Sequence, residues 1–103
     1  METIELSSVP GRKKRVVAQA VEDEIVLILP DQGKVKVLND TGSRIWEWID
    51  GQSTVEEIAL KLHRFFEVEM EQAREDVLVF LRELRQKDLI DVIGSDKIAP
   101  YAV

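Results

Sequence analysis

The sequence predicts an α+β fold, with three short antiparallel strands followed by three helices and a final short strand that together look like a winged helix-turn-helix. Three observations support this fold class. The chain has 103 residues, of which 45% are hydrophobic, and this suits one small domain with its own core. Between residues 16 and 38 apolar residues alternate or run continuously, as in strands. Beyond Leu38 they recur at helical spacing.

The three predicted strands cover residues 16–21, 24–29 and 34–38. The second is almost unbroken apolar, which is typical of a central strand paired on both sides. Tight turns at residues 22–23 and 30–33 join the strands, and Gly33 stands where the second turn needs a positive φ. The first and third strands should therefore each keep one free edge.

The three predicted helices follow from caps and apolar spacing. Asn39 and Asp40 are candidate caps of the first helix, and the pattern from Ser53 to Glu56 is a capping box that begins the second. The third and longest helix runs from Met70 to about Lys87. The expected core residues of the helices are Ile45, Trp46, Ile49, Val55, Ile58, Ala59, Leu62, one or both of Phe65 and Phe66, Met70, Ala73, Val77, Phe80, Leu81 and Leu84.

The domain is expected to span residues 16–93, and to end in a short strand or wing at residues 89–93. Residues 1–15 are interpreted as a flexible N-terminal arm that contributes little to the core, because their periodicity is weak and residues 7–11 form a breaker cluster. The arm ends in the basic tetrad of residues 12–15, either solvated or in contact with an acidic ligand. Residues 94–103 are left as a C-terminal tail.

Composition excludes several function classes. The formal net charge of −6 weighs against a nucleic-acid binder, because affinity for phosphates comes mainly from surplus Lys and Arg. The absence of cysteine excludes thiolate nucleophiles, disulfides and cysteine-containing metal sites. His63, the only histidine, is expected at a surface or core rim, and no partnered nucleophile or phosphate loop is visible. We therefore expect neither catalysis nor a cofactor.

No apolar segment approaches the roughly 18 residues of a membrane span, and the N-terminus does not have the basic and apolar pattern of a signal peptide. The sequence predicts a cytoplasmic protein without membrane contact.

The edge of the third strand is the predicted binding site. Its residues Lys34, Val35, Lys36, Val37 and Leu38 offer backbone N–H and C=O groups to an extended peptide. On the long helix, a stripe at helical spacing sets one apolar residue among arginines and is expected to form the opposite wall of a groove. The members of this stripe are Glu71, Arg74, Leu78, Arg82 and Arg85, and the last four are the predicted binding residues. Leu78 would take an apolar residue of the peptide, and the basic residues would attract acidic ones.

Two other functions remain open at this point. One is a DNA-binding winged helix, although acidic residues outnumber basic ones between Glu69 and Asp88 on the helix that would enter the major groove. The other is an adaptor that dimerises through the free strand edge, since the same edge can accept a second copy of the chain. The edge lysines also have a simpler explanation, because charges on an edge strand discourage unwanted pairing.

Beyond this pattern, a set of positions carries a family resemblance: Leu38-Asn39, Thr41-Gly42, Ile45-Trp46, Asp50-Gly51, Val55-Glu56-Glu57-Ile58, Leu62, Asp76-Val77, Leu81, Leu84 and Leu89. In their order and spacing they resemble the PqqD family, the small peptide chaperones and embedded domains known as RiPP recognition elements. The resemblance covers residues 16–93.

The resemblance implies a three-stranded antiparallel sheet packed on a three-helix winged bundle, without catalysis. It also implies binding of the leader segment of a ribosomally made precursor peptide, which is presented to a modifying enzyme, often a radical S-adenosylmethionine maturase; a leader peptidase is the other enzyme partner that we expect. In the family, the leader adds as a strand to the third strand and lies against the third helix.

The sequence departs from the family pattern at two places. The turn at residues 30–33 is longer than the Pro-Glu-Gly turn of the quinone-cofactor members, and Asp88 stands where a glycine often ends the long helix. We expect the family's binding mode here, and not its pyrroloquinoline quinone product. The second departure should leave the fold intact, because aspartate tolerates a left-handed conformation moderately well.

Overall fold

The computed structural model describes residues 3–95, which contain five strands and three helices. These elements are β1 (Ser8–Arg12), β2 (Val17–Val21), β3 (Glu24–Leu29), β4 (Lys34–Val37), α1 (Asp40–Trp48), α2 (Val55–Phe66), α3 (Met70–Gln86) and β5 (Ile90–Ser95). Strands β2, β3 and β4 form an antiparallel sheet with β3 in the middle, and β1 pairs antiparallel with β5. The predicted α+β fold is confirmed. None of the helices in this part of the chain is long and apolar enough to cross a membrane.

The central strand β3 joins the sheet to the helices through one of its faces. Ile25, Leu27 and Leu29 point into the core and are buried, whereas Val26 and Ile28 are only half-buried on the outer face. The hydroxyl of Ser43 in α1 accepts a hydrogen bond from the Ile25 N–H (2.9 Å) and donates to the Leu38 carbonyl (3.3 Å). These bonds fix the start of α1 against the sheet.

The helix caps agree with the sequence, apart from a shift of one residue at α2. The Asn39 side chain accepts from the Gly42 N–H (2.8 Å), as predicted for α1. At α2 the capping box is formed by Thr54 and Glu57, and not by Ser53, whose hydroxyl lies against Asp50. Because Ser-Thr and Glu-Glu are adjacent pairs, the sequence offers the capping pattern in two registers. The structure uses the second.

Two turn residues adopt the left-handed conformation that the sequence predicted for them. Gly33 has a φ of 64° and closes the short 3-10 turn Pro30–Gln32 that leads into β4. Asp88 has a φ of 65° and follows α3. Aspartate therefore does replace glycine at the end of the long helix without changing the fold.

The N-terminal segment differs from the arm expected over residues 1–15. Residues 8–12 form β1, and Ile4 is only 2% exposed within the hydrophobic core. The Leu6 carbonyl accepts from the Glu56 N–H (3.0 Å) at the start of α2. The breaker residue Pro10 is compatible with a strand here because the pairing of β1 with β5 shifts register between Val9 and Pro10.

The partner strand β5 begins at Ile90, one residue later than the predicted wing, and continues to Ser95, two residues further than expected. The remainder of the predicted tail, residues 96–103, lies outside the described residues.

Most of the basic tetrad makes contacts within the chain. Arg12 donates to the carbonyls of Trp46 (2.7 Å) and Glu47 (3.2 Å) at the end of α1. Lys13 and Arg15 both form ion pairs with Asp88. In the part of the chain that the structure describes, Lys14 alone of the four has no such partner. Three of these residues thus tie the N-terminal segment to the ends of α1 and α3.

Candidate functional site

Strand β4 is an open edge of the three-stranded sheet. Among the described residues it pairs only with β3, in a register that sets Lys36 opposite Leu27 and Val37 opposite Val26. The Leu38 N–H donates to the Ile25 carbonyl (2.9 Å), which makes these two residues a hydrogen-bonded pair. Hydrogen-bonded and non-hydrogen-bonded pairs alternate along an antiparallel ladder. The N–H and C=O groups of Val35 and Val37 therefore point away from β3, toward the open edge.

The side chains of β4 alternate between the two faces of the sheet. Lys34 and Lys36 lie on the face of Leu27 and Leu29, toward the helices. Val35 and Val37 lie on the outer face and are 63% and 59% exposed. Leu38, which was also predicted to bind peptide, is 2% exposed and directs its N–H to β3. The structure therefore places Leu38 in the core, and the available edge is limited to Lys34–Val37.

A groove of about 660 Å³ lies beside this edge. Its lining consists of Leu27, Leu29, Lys34, Val35, Lys36, Val37, Lys87 and Leu89. Lys36 forms an ion pair with Glu83 of α3, with Nζ and Oε2 2.9 Å apart. Glu83 in turn lines a second depression, of about 460 Å³, between α1 and α3, where Asp76, Val79 and Phe80 also lie. The side of the molecule that faces β4 is therefore formed by Glu83 of α3 and by Lys87 and Leu89, which follow the helix.

The arginine stripe expected to form this wall lies on another side of α3. Leu78 and Arg82 line a depression together with Leu6, and Arg85 lines one together with Ile4. Arg82 also donates to the Ile4 carbonyl, at 3.5 Å. The N-terminal segment of the chain thus runs beside the stripe. The structure does not bring Arg74, Leu78, Arg82 and Arg85 together with β4.

Arg74 is engaged by carboxylates of its own chain. Its Nε and Nη2 donate to the two carboxylate oxygens of Glu56 (2.9 and 2.8 Å), and its Nη1 donates to Glu71 (3.0 Å). The hydrogen bond from Arg74 lowers the pKa of Glu56 below its ordinary value, because it stabilises the charged form of the carboxylate. Arg74 therefore connects α3 to α2, which differs from the predicted role of attracting acidic peptide residues.

Helix geometry explains why the stripe was assigned to the groove. Each residue of a helix advances by about 100°, so a core stripe has one flanking stripe on each side. The core stripe of α3 contains the fully buried Ala73, Val77, Leu81 and Leu84. The arginine stripe flanks it on one side, and Asp76, Phe80, Glu83 and Lys87 flank it on the other. Both flanks have helical spacing, and nothing within the α3 sequence indicates which one faces β4.

Charge is unevenly distributed along the site. Lys34 and Lys87 lie at the groove beside β4, whereas Glu75 and Asp76 line the depression toward the start of α3. The separation of Asp76 and Lys87 along the helix axis is about 16 Å, which matches about five residues of an extended strand. An extended peptide in this site would meet positive charge at one end and negative charge at the other.

Comparison with known proteins places this architecture in a family. The profile of the PqqD family, described as coenzyme PQQ synthesis protein D, matches residues 24–90, about two thirds of the chain. The chain belongs to the PqqD family. The resemblance inferred from the spacing of residues 38–89 is confirmed. No curated protein sequence matches significantly.

Three solved structures share the fold of this chain. TbiB1 in complex with the TbiA(beta) leader peptide is 28% identical, with a TM-score of 0.74 over 82% of this chain and 99% of that one. The PqqD truncation of Methylobacterium extorquens PqqCD, a functional and stand-alone RiPP recognition element, is 25% identical, with a TM-score of 0.73 over 86% and 95%. Lasso peptide synthetase B1, complexed with its leader peptide, is 19% identical with a TM-score of 0.74 and shows likeness of fold only.

The sequence pattern alone does not identify the residues that face β4 in this PqqD-family protein, which are Glu83 of α3 and Lys87 just after it. One signal could have found them: Lys36 on an edge strand and Glu83 on a helix flank have opposite charges, and they form an ion pair. His63, by contrast, is half-buried, with its Nδ1 against the Val68 carbonyl. Within residues 3–95, no cluster of His, Asp and Glu could hold a metal ion.

Proposed function

We propose that this PqqD-family protein captures the leader segment of a ribosomally made precursor peptide and presents it to a modifying enzyme, without catalysing a reaction itself. The observation that carries this proposal is the open edge of β4 beside a groove that Lys87 and Leu89 line just after α3, with Lys36 of β4 paired to Glu83 of α3. TbiB1, with which the chain shares 28% identity and its fold, was solved with a leader peptide. The modifying enzyme is proposed to be a radical S-adenosylmethionine maturase or a leader peptidase.

The leader would bind as an additional strand on β4. Val35 and Val37 each offer one N–H and one C=O at the edge, so about four backbone hydrogen bonds are available, at about 1 kcal/mol net each. Alternate side chains of the leader would enter the groove floored by Leu27, Leu29 and Leu89. After the ordering of a flexible peptide is subtracted, dissociation constants on the order of micromolar are expected. Such an affinity permits release to the enzyme.

The charges beside β4 favour a leader with acidic residues at one end of the bound segment and basic residues at the other. Acidic leader residues would contact Lys34 and Lys87, and they would compete with Glu83 for Lys36. Basic leader residues would suit the depression lined by Glu75 and Asp76. Electrostatic complementarity of this kind contributes mainly to specificity and to the association rate. Backbone pairing would supply affinity that depends little on sequence.

A titration with the fluorescently labelled leader of a precursor peptide encoded beside this protein tests the proposal. Val37→Pro removes an outward-pointing N–H without removing a bond to β3, and proline is tolerated at such edge positions. We expect this variant to lower leader affinity at least about tenfold, because one hydrogen bond is lost and its neighbour is disturbed.

Ala20→Pro is the matched control for this titration. It places a proline on the opposite edge strand, β2, at a position whose N–H also points away from β3. We expect it to leave leader affinity unchanged, and circular dichroism establishes that both variants are folded. Equal leader affinity of folded Val37→Pro and the parent protein would rule out binding at β4.

A further inference from the structure

The opposite edge of the sheet, β2, is also open and carries no charge. Among the described residues it pairs only with β3, and all five of its residues are exposed. Val17 and Val21 are 49% and 52% exposed on the outer face. The register with β3 and the alternation of the ladder direct the N–H and C=O groups of Ala18 and Ala20 away from β3. Uncharged, exposed edge strands pair readily with another chain.

The sequence of β2 is a palindrome, Val17-Ala18-Gln19-Ala20-Val21. An antiparallel pair related by a two-fold axis at Gln19 sets Val17 opposite the partner's Val21 and Ala18 opposite the partner's Ala20. In this register the outward-pointing N–H and C=O groups of Ala18 in one copy face those of Ala20 in the other. They can therefore form the hydrogen bonds of an antiparallel ladder without any shift in register. Such self-complementarity is what an isologous two-fold interface requires.

The charges at the two ends of β2 favour the same arrangement. Lys14 and Arg15 precede the strand, and Glu22, Asp23 and Glu24 form and follow the turn after it. Lys14 and these three acidic residues make no ion pair with any other residue in the described part of the chain. Antiparallel pairing brings the basic end of one copy to the acidic end of the other, whereas parallel pairing would bring like charges together.

We propose that the protein forms a two-fold dimer by antiparallel pairing of β2 with β2 of a second copy. The result is a six-stranded sheet in which the two β4 strands form the outer edges. The outer face of this sheet carries exposed or half-buried aliphatic residues on both sides of the two Gln19 side chains at the axis: Val17, Val21, Val26, Ile28, Val35 and Val37. Each β4 groove stays accessible, so the dimer would hold two extended peptides at once. This inference does not depend on the proposed function.

Sedimentation equilibrium of the full chain tests the dimer over a range from about 1 to about 500 µM. We expect a concentration-dependent dimer for the parent protein. Ala20→Pro should be monomeric throughout, because it removes an outward-pointing donor from each copy and so two of the intersubunit hydrogen bonds. Gln19→Lys, which sets two like charges face to face on the axis, should also be monomeric. Val37→Pro changes only the other edge and should dimerise like the parent.

A charge exchange distinguishes the antiparallel register from other contacts. Lys14→Glu should weaken the dimer several-fold at low salt, and adding Glu24→Lys to the same chain should restore it. A parent protein that stays monomeric at the highest concentration would overturn the proposal. The proposal would also be overturned if Val37→Pro dissociated the dimer and Ala20→Pro did not, because that result would place the interface at β4. The leader titration is read on the same variants, so failure of dimerisation and failure of leader binding are separate results.

Discussion

Arg12 shows how one residue of an apparently solvated basic run can hold two elements together. Its guanidinium donates to the Trp46 and Glu47 carbonyls and lies 5.1 Å from the centroid of the Trp46 ring. The last turn of α1 contains no basic residue of its own. Arg12 thus supplies, from β1, the positive charge that favours the C-terminal end of a helix, and it adds a donor to the Trp46 carbonyl, which also accepts from the Ile49 N–H.

We expect Arg12→Ala to lower the free energy of unfolding by about 1–2 kcal/mol, because two hydrogen bonds from a charged donor and a cation–π contact are lost. Lys14→Ala is the matched control, since Lys14 is exposed and forms no ion pair within the described chain. Its effect should stay within about 0.5 kcal/mol. Urea denaturation followed by tryptophan fluorescence measures both. Equal stabilities of the two variants would show that Arg12 does not cap α1.

At the scale of elements, local patterns predicted what the segments from residue 16 to Lys87 become, but not which flank of a helix faces its neighbour. The continuous apolar run of β3 and the turn at Gly33 predicted the meander, because these features act within a few residues. The two flanks of α3 have the same helical spacing. Which of them faces β4 depends on the angle at which α3 crosses the sheet, and local sequence does not determine that angle. The prediction of a flexible arm over residues 1–15 was also wrong. Ile4 and Leu6 alternate with polar residues as in a strand, but the turn-forming residues 7–11 that follow them indicated a loop, so their contribution to the core was not expected.

The contribution of charge to leader binding is tested by reversing the charge of one lysine on each side of the groove. Lys34→Glu combined with Lys87→Glu should weaken binding of an acidic leader about tenfold at low ionic strength, because two attractions become repulsions. The loss should shrink in about 0.5 M salt, where exposed charges are screened. Arg82→Glu, on the opposite flank of α3, changes the net charge by the same amount per residue and should have little effect. If Arg82→Glu lowered leader affinity more than the double variant does, the binding site would lie at the arginine stripe and not at β4.

Over the whole molecule, the proposed binding edge and the N-terminal segment lie on different sides of the same bundle. The β4 edge lies beside Glu83 on one side, while β1, β5 and residues 3–7 close the other side. Ile4 belongs to the core cluster at 2% exposure, and the Leu6 carbonyl holds the start of α2. The N-terminal segment therefore acts as a brace on α2 and α3, and it leaves the groove open.

This arrangement predicts that a substitution in the N-terminal segment lowers the stability of the fold without lowering leader affinity at β4. Ile4→Ala should lower the free energy of unfolding by about 2–4 kcal/mol, because a buried aliphatic side chain is removed and a cavity is left. Leu60→Ala, at a side chain that is 37% exposed on α2, is the control and should lower it by less than about 1 kcal/mol. At a temperature where Ile4→Ala is still folded, its leader affinity should equal that of the parent, since no atom of Ile4 lines the β4 groove. Thermal unfolding and leader titration on the same samples separate the two effects, and a folded Ile4→Ala variant with weakened leader binding would mean that the two sides are coupled.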